Sequence, residues 1–410
     1  MTGPADYPPV VVVSIDTPIG LTVIRELGER GVPVLGVAQS REAIGLYSRW
    51  LTRGFVRAPG QPLVDLVREI GERHGARFVL TIAEAVGLTL RRAADAGELG
   101  ELKILLPPVE CLQTVNDKIR TCELAAAEGI SVPWSWQPAE LTGPADIPAD
   151  LGFPVVLKWR DPDRIGAALG SAGLALLKAE YCHDRDELWR ALARYRPVDA
   201  YPMVQGFCPG HGLGQMLFMH GGRTLLRFQH RRLAEWPPEG GFSTVCESLP
   251  ASANGALLAR SEALLRRIGW EGPAMVEYRH DPATGQFALM EINGRFWGSQ
   301  PLAYHAGAHF AWLSYAVLGL GLNPAPVDYR AGIICRYMIP ETKRLLTVLL
   351  RTGKIQDRTL KIRPWREIAW YLGLFFHPRS RYFVFSLRDP GPFFGDVWQS
   401  LRKLLRLSGG

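Results

Sequence analysis

Residues 273–299 read PAMVEYRHDPATGQFALMEINGRFWGS. Two runs, AMVEYRHD (274–281) and FALMEING (287–294), alternate apolar and polar residues around DPATGQ, whose Asp, Pro and Gly favour a tight turn. The pattern predicts a β-hairpin. Side chains two apart on a strand share a face, so Glu291 and Asn293 should point the same way, with Glu277 brought alongside across the hairpin. Acids on a solvated hairpin face are the plain alternative. Against it, Glu291 lies between Met290 and Ile292, and three converging oxygen donors suit Mg²⁺, which takes carboxylate and amide oxygens and shares its shell with nucleotide phosphates.

Upstream, FPVVLKW (153–159) ends a predicted strand on Lys158, and the glycine-rich run RIGAALGSAG (164–173) follows. In an open loop, the backbone N–H groups of Gly166, Gly170, Ser171 and Gly173 would close around phosphate oxygens while Lys158 supplies a point charge. Further back, PPVVVVSID (8–16), the helix-spaced PIGLTVIRELGERG (18–31), VPVLGVA (32–38), ARFVLTIA (76–83) and ELKILLP (101–107) alternate strand and helix, which predicts a parallel sheet closing near Pro107 and Pro108. The first turn, SIDTPIG (14–20), lacks the G-x-G-x-x-G of a dinucleotide site. Asp16 and Gly20 there would serve either a substrate pocket or a capped turn. After Pro108 strands outnumber helices, which predicts an α+β region.

The 410 residues predict roughly two to three domains at about 150 residues each. A composition 47% hydrophobic and 21% charged excludes disordered, collagenous and coiled-coil chains. The formal charge of +7 is too small for a dedicated nucleic-acid binder and suits anionic substrates. The six cysteines form no C-x-x-C pair, against a zinc ribbon or disulfide scaffold and in favour of a cytoplasmic location. No signal-peptide order opens the chain. Residues 296–327 carry no Asp, Glu, Lys or Arg but include Gln300 and Asn323, which predicts a buried helix rather than a membrane span. His305 and His309 would share a face of that helix, without the Glu or third ligand that zinc needs.

A strand lysine, a glycine-rich run and an acidic hairpin, in that order, resemble the ATP-grasp superfamily of carboxylate–amine ligases, including an uncharacterised branch similar to carbamoyl-phosphate synthase large chains. The resemblance runs from the first strand to NPAP (323–326). It implies an α/β plus α+β architecture: a Rossmann-like pre-ATP-grasp domain over residues 1–108, an ATP-grasp domain over 109–322 with its lid near 150–205, and a mostly helical C-terminal extension over 323–410. Matched to the family's order, Lys118 in NDKIRT and Lys158 are the two nucleotide lysines. Met203, Val204 and Gln205 of MVQGFCPG would face adenine, Glu277, Glu291 and Asn293 would hold metal, and Arg295, the arginine of E-x-N-x-R, would be catalytic, stabilising charge on the transferred phosphoryl group and on the oxygen of the tetrahedral intermediate. Gly206 stands where the hinge often has an acid, and His211 or Gly212 where a ribose-binding acid is usual. FQHRRLAEWPPEGGFSTVCES (228–248) resembles the family's strand and turn near the acyl-phosphate site. Alternation lets only one of Arg231 and Arg232 reach a pocket, and the family pattern selects Arg232.

The resemblance implies ATP and Mg²⁺ (with Mn²⁺ as a substitute) as cofactors. The expected reaction activates a small carboxylate as an acyl phosphate and couples it to an amine, with an amino acid or peptide as substrate, no nucleic-acid partner and a homodimer as an option. Two rival readings are a non-catalytic nucleotide-binding protein of the same fold and a nicotinamide-dependent oxidoreductase. The aromatics of residues 329–410 should be covered by the chain's own core. A dimer partner comes next, and peripheral contact with an anionic membrane last.

Overall fold

The computed structural model describes residues 7–160, 162–177, 179–325, 327–355, 357 and 362–407. Its first layer is a five-stranded parallel sheet of order β3-β2-β1-β4-β5, made from β1 (Val10–Val13), β2 (Val34–Ala38), β3 (Arg53–Val56), β4 (Phe78–Thr81) and β5 (Lys103–Ile104). The helices α1 (Pro18–Gly28), α2 (Leu63–His74) and α3 (Glu84–Asp95) connect these strands. All four residues of β1 are valines with no exposed surface, as a central strand covered on both faces requires. The edge strand β3 was not foreseen, because RGFV is mostly exposed and lacks an apolar run. At the first turn the Asp16 carboxylate accepts the backbone N–H groups of Gln39 and Ser40, and an added Cβ on Gly20 would lie 2.7 Å from Ile15 Cα. Both residues serve the turn.

Helices α4 (Val109–Asn116) and α5 (Lys118–Ala127) lead into a second, four-stranded sheet of order β6-β9-β7-β8. Its strands are β6 (Ser135–Trp136), β7 (Val155–Lys158), β8 (Glu180–Cys182) and β9 (Met203–Gly206), with α6 (Pro162–Ser171) and α7 (Arg185–Ala193) between them. This unit has a core of its own, in which Val155, Leu157, Cys182, Leu188 and Val204 pack together.

The third sheet has seven strands: β10 (His211–His220), β11 (Arg223–Trp236), β12 (Phe242–Leu249), β13 (Gly272–His280), β14 (Phe287–Asn293), β15 (Ile334–Arg336) and β16 (Ser380–Tyr382), in the order β14-β13-β10-β11-β12-β15-β16. Helix α8 (Gly255–Ile268) crosses between β12 and β13. The 296–327 stretch is no single helix: α9 (Gln300–Ala306) stops at Gly307, whose φ is +94°, and α10 (Phe310–Leu313) opens on His309. His305 and His309 therefore sit on different helices. No helix among the described residues is long and apolar enough to cross a membrane.

One apolar core joins the first and third layers. Val10, Val12 and Phe78 meet Met216, Phe228 and Met275 through Trp297, Phe310 and Tyr315. The C-terminal region completes the third sheet with β15 and β16 and adds α11 (Met338–Leu350), α12 (Pro364–Phe376) and α13 (Gly391–Leu407), so it is mostly helical, as expected. It is also pinned to the first layer, where Arg25 of α1 holds the buried Asp389 at 2.9 Å and Ser48 donates to the same carboxylate.

Candidate active site

Strands β13 and β14 form the expected hairpin, with Glu277 directly opposite Glu291 and Met275 opposite Asn293. A bulge sets the faces. Met290 is the extra residue between the Tyr278–Leu289 and Glu277–Glu291 pairs, so Leu289 and Tyr278 turn into the core behind the sheet while both glutamates turn to the front. Asn293 lies two residues beyond Glu291 and donates its amide N–H to Glu291 Oε1 at 3.3 Å. The three oxygen-bearing side chains are together.

The row continues across the sheet, from Glu277 to Gly214 of β10, to His230 of β11 and to Ser248 of β12. Gly214 offers no side chain there. An added Cβ would stand 3.1 Å from the ring of His230, which is fully buried, bonded through Nδ1 to Ser299 Oγ, and driven by burial and by neighbouring Arg232 down to a pKa of about 3. Imidazole is therefore neutral. Gly212 leaves a second gap, through which the Arg232 side chain passes, since a Cβ on that glycine would lie 2.5 Å from Arg232 Cδ.

Arg232 then reaches Glu277 at 2.6 Å and Glu235 at 3.0 Å, and donates to the Gly241 carbonyl. Burial disfavours its charge, but Glu277 and Glu235 outweigh that and hold the guanidinium more firmly protonated than usual. Its Nε is buried without a hydrogen-bond partner. Arg231, one residue earlier, points to the opposite face and pairs with Glu247. Sequence reasoning missed Glu235 and Arg279, which extend the network at 3.1 Å. Arg279 is two residues from Glu277 and so shares its face, whereas Glu235, three residues from Arg232, has the opposite parity and is brought round by the register shifts of β11 at Ala234.

Lys158 enters from the second sheet. It ends β7 and donates to Gln205 Oε1 at 3.0 Å. Burial pushes its pKa down and so does Lys118, while the carboxylates of Glu291 and Glu277 act in the opposite direction. The lysine of one sheet thus stands near enough to the acids of the other for their charges to interact. Lys118 is tied to the same corner by its bond to the Trp159 carbonyl at 3.0 Å. The helix break that frees it is Asp117, whose carboxylate caps α5 through the N–H groups of Ile119 and Arg120 and pairs with Arg160.

Two expectations need correcting, and a third residue has its partner outside the acid cluster. Gly170 and Ser171 end α6 instead of lying in an open loop, because Ile165, Ala167, Ala168 and Leu169 supply helix formers and Leu169 plugs a small core with Trp159 and Tyr195. Gly173 follows with φ +69° and closes the turn after the helix. On β9, Val204 points away from the cleft into the sheet's own core, and with β6 on one edge and β7 on the other the backbones of Val204 and Gln205 are engaged in strand pairing. Met203 and Gln205 share the Lys158 side. Finally, Arg295 leaves the hairpin just after β14 and pairs with Glu84 at the start of α3, at 3.1 Å, also donating to the Phe296 carbonyl. It lines a small cleft with Thr81, Ala83, Leu106 and Asn116, at the seam with the first sheet. Glu84 was not singled out, although it follows the carboxyl end of a parallel strand, where ligands of such sheets bind.

No protein-family model matches the sequence, and no curated protein matches it either. Solved structures do. The chain is similar to a biotin carboxylase–β,γ-ATP complex from Campylobacter jejuni, with a TM-score of 0.62, 14% identity and coverage of 79% of this chain and 74% of that one. It is similar to an L-amino acid ligase from Bacillus licheniformis, with a TM-score of 0.56, 17% identity and coverage of 76% and 75%. It is also similar to N5-carboxyaminoimidazole synthetase from Staphylococcus aureus complexed with ADP, with a TM-score of 0.59, 12% identity and coverage of 80% and 81%. These likenesses agree with the motifs on the architecture, and the chain has the ATP-grasp fold.

Proposed function

We propose that the chain is an ATP-dependent carboxylate–amine ligase, forming an amide or peptide bond through an acyl phosphate and releasing ADP and phosphate. The observation that carries this reading is that Lys158, with Lys118 beside it, stands within electrostatic reach of Glu277 and Glu291, which face each other on the hairpin that also carries Asn293. Two ammonium groups suit a polyphosphate chain, and two facing carboxylates with an amide oxygen suit a hard divalent cation. The donor set fits Mg²⁺ or Mn²⁺: both carboxylates face forward from adjacent strands, and Asn293 stands beside Glu291. When bound, the cation neutralises charge on the phosphates. The neighbours crystallised with ATP analogue or ADP, and the L-amino acid ligase among them, support the same nucleotide and point to amino acids or peptides as substrates.

The chain's own residues then have these tasks. Lys118 and Lys158 hold the phosphates, and Lys158 must exchange Gln205 for a phosphate oxygen. Arg232 stabilises charge on the transferred phosphoryl group or on the acyl oxygen, and Glu277 and Glu235 keep it ionised and aimed. Arg295, at the seam with the first sheet, would orient the carboxylate substrate after release from Glu84. The neutral His230 braces the row without donating charge. Incubating the protein with ATP, Mg²⁺ and pooled amino acids, and measuring ADP release pool by pool, tests the proposal. ADP release that depends on both Mg²⁺ and a particular pool supports ligation, whereas tight Mg²⁺–ATP binding with no turnover in any pool favours the non-catalytic reading.

A further inference from the structure

Helix α12 reads PWREIAWYLGLFF and is turned inside out. Leu374 is buried and Trp370 packs on Leu233 and Ala234, while Trp365, Ile368, Leu372 and Phe376 are 65%, 40%, 53% and 88% exposed. At 100° per residue those four occupy one stripe, opposite Leu374, over a helix about 20 Å long. Helix α11 lies against α12, joined by the Arg344–Glu367 pair, and adds Leu346 and Leu350 to the exposed apolar surface.

The charge around this stripe says what covers it. Residues 329–410 hold sixteen Lys and Arg against five Asp and Glu, a formal +11, whereas residues 1–328 hold thirty-one against thirty-five, a formal −4. All five acids are withdrawn from the surface. Glu341 and Asp389 are buried with Arg336 and Arg25, Asp357 and Asp396 are buried, and Glu367 is held by Arg344. Lys343, Arg351, Arg363, Arg366 and Arg379, on or next to α11 and α12, face water. An apolar stripe of Trp, Leu, Ile and Phe among unopposed cations matches the boundary of an anionic bilayer, where the apolar side chains enter the acyl region and the cations meet headgroup phosphates. A second copy of the chain fits worse, because a two-fold contact would press these cations together. A nucleic acid would leave the aliphatic side chains without partners. We propose that the α11–α12 face is a peripheral docking surface for an anionic phospholipid membrane.

Flotation of the full chain with vesicles tests this. The protein should float with vesicles of phosphatidylglycerol and phosphatidylcholine but not with phosphatidylcholine alone, and raising salt from about 0.1 M to about 0.5 M should release it. Leu372→Asp with Phe376→Asp, and separately Arg363→Glu with Arg366→Glu, should each lower the bound fraction at least about tenfold, with an unchanged circular-dichroism spectrum and melting temperature. All four side chains are exposed, so folding should survive. Should a variant unfold, quenching of Trp365 fluorescence by brominated lipid in the unaltered chain, judged against Trp365→Phe, decides instead. Absence of flotation with anionic vesicles, equal flotation with phosphatidylcholine, or binding indifferent to both double substitutions overturns the proposal. So does a dimer in light scattering that Leu372→Asp dissociates, since the face would then belong to a second copy.

Discussion

Arg232 meets Glu277 at 2.6 Å in the cleft, and Arg336 meets Glu341 at 2.9 Å beneath the C-terminal helices, with side chains 11% and 13% exposed in the first pair and 0% and 2% in the second. Their surroundings differ more than their distances. Arg336 grips its carboxylate with two nitrogens, donates to the Tyr371 carbonyl, and lies 4.2 Å from the centre of the Phe375 ring. Pair and rings come from one stretch of chain, and a further cation acting on Glu341, Arg344, is itself held by Glu367. Arg232 instead divides itself between Glu277 and Glu235, Glu235 divides itself between Arg232 and Arg279, and Lys158 stands near enough to Glu277 for each to affect the other's charge. A guanidinium with one acid is a clamp. Several cations and acids that can exchange partners can also admit a polyphosphate and a divalent ion, which bring the same two signs of charge.

The comparison breaks most sharply at Glu291, where exchange for Gln removes a charge that the proposed metal site needs without changing side-chain size. We expect Glu291→Gln to lower ADP formation at least about a hundredfold with little change in melting temperature. Turnover near normal would take the hairpin out of the site. Next comes an exchange of Arg for Met at each pair. Arg336→Met leaves Glu341 buried without its counter-charge, and burial already raises that carboxyl above its ordinary range, so a loss of about 3–5 kcal/mol is expected in denaturant melts. The folded fraction should keep its nucleotide affinity. Arg232→Met should lose turnover with a smaller stability change, because Glu277 keeps Lys158 nearby and Glu235 keeps Arg279. Equal stability losses would erase the distinction drawn above.

A third, smaller effect belongs to Lys158→Ala, which should weaken ATP binding by about 1–3 kcal/mol, the scale of a charged hydrogen bond. Titration with and without Mg²⁺ measures it. Unchanged affinity in both would mean that the Lys158–Gln205 contact is a permanent part of the sheet.

What the sequence made legible follows from the range of the physics involved. The hairpin could be read because alternation and turn chemistry are local, and the Glu277–Glu291 pairing followed from them. Strand parity allowed only one of Arg231 and Arg232 to face the acids and the family pattern selected Arg232, which is the one that meets Glu277. Glu235 and Arg279 escaped notice because their partner choice depends on which strands are neighbours, and β11 lies beside β10 and β12 rather than beside β13. The partner of Arg295, Glu84, is 211 positions away in another layer, and no local pattern announces it. The glycine-rich run misled for the opposite reason. Its glycines were weighed and its alanines and Leu169 were not, although the apolar contact of Leu169 with Trp159 and Tyr195 is what holds that segment as a helix.

Two glycines with opposite surroundings sharpen the comparison further, the second with the smallest effect. At Gly212 a methyl group would lie 2.5 Å from Arg232 Cδ, in the middle of the side chain rather than at its free end, so Arg232 must leave its path to Glu277. The backbone there is not in the left-handed region, so Gly212→Ala carries the cost of the collision and not of strain. We expect about 1–3 kcal/mol of destabilisation and a fall in turnover that Arg232→Met does not deepen, since both substitutions remove the same contact. At Gly170 nothing lies within 4 Å of the added atom and the residue is exposed near the end of α6. Gly170→Ala should therefore stabilise the helix by up to about 1 kcal/mol and leave ATP affinity unchanged. A loss of ATP affinity in that variant, at undiminished stability, would restore the phosphate-binding loop that the sequence first suggested and show that α6 unwinds when nucleotide arrives.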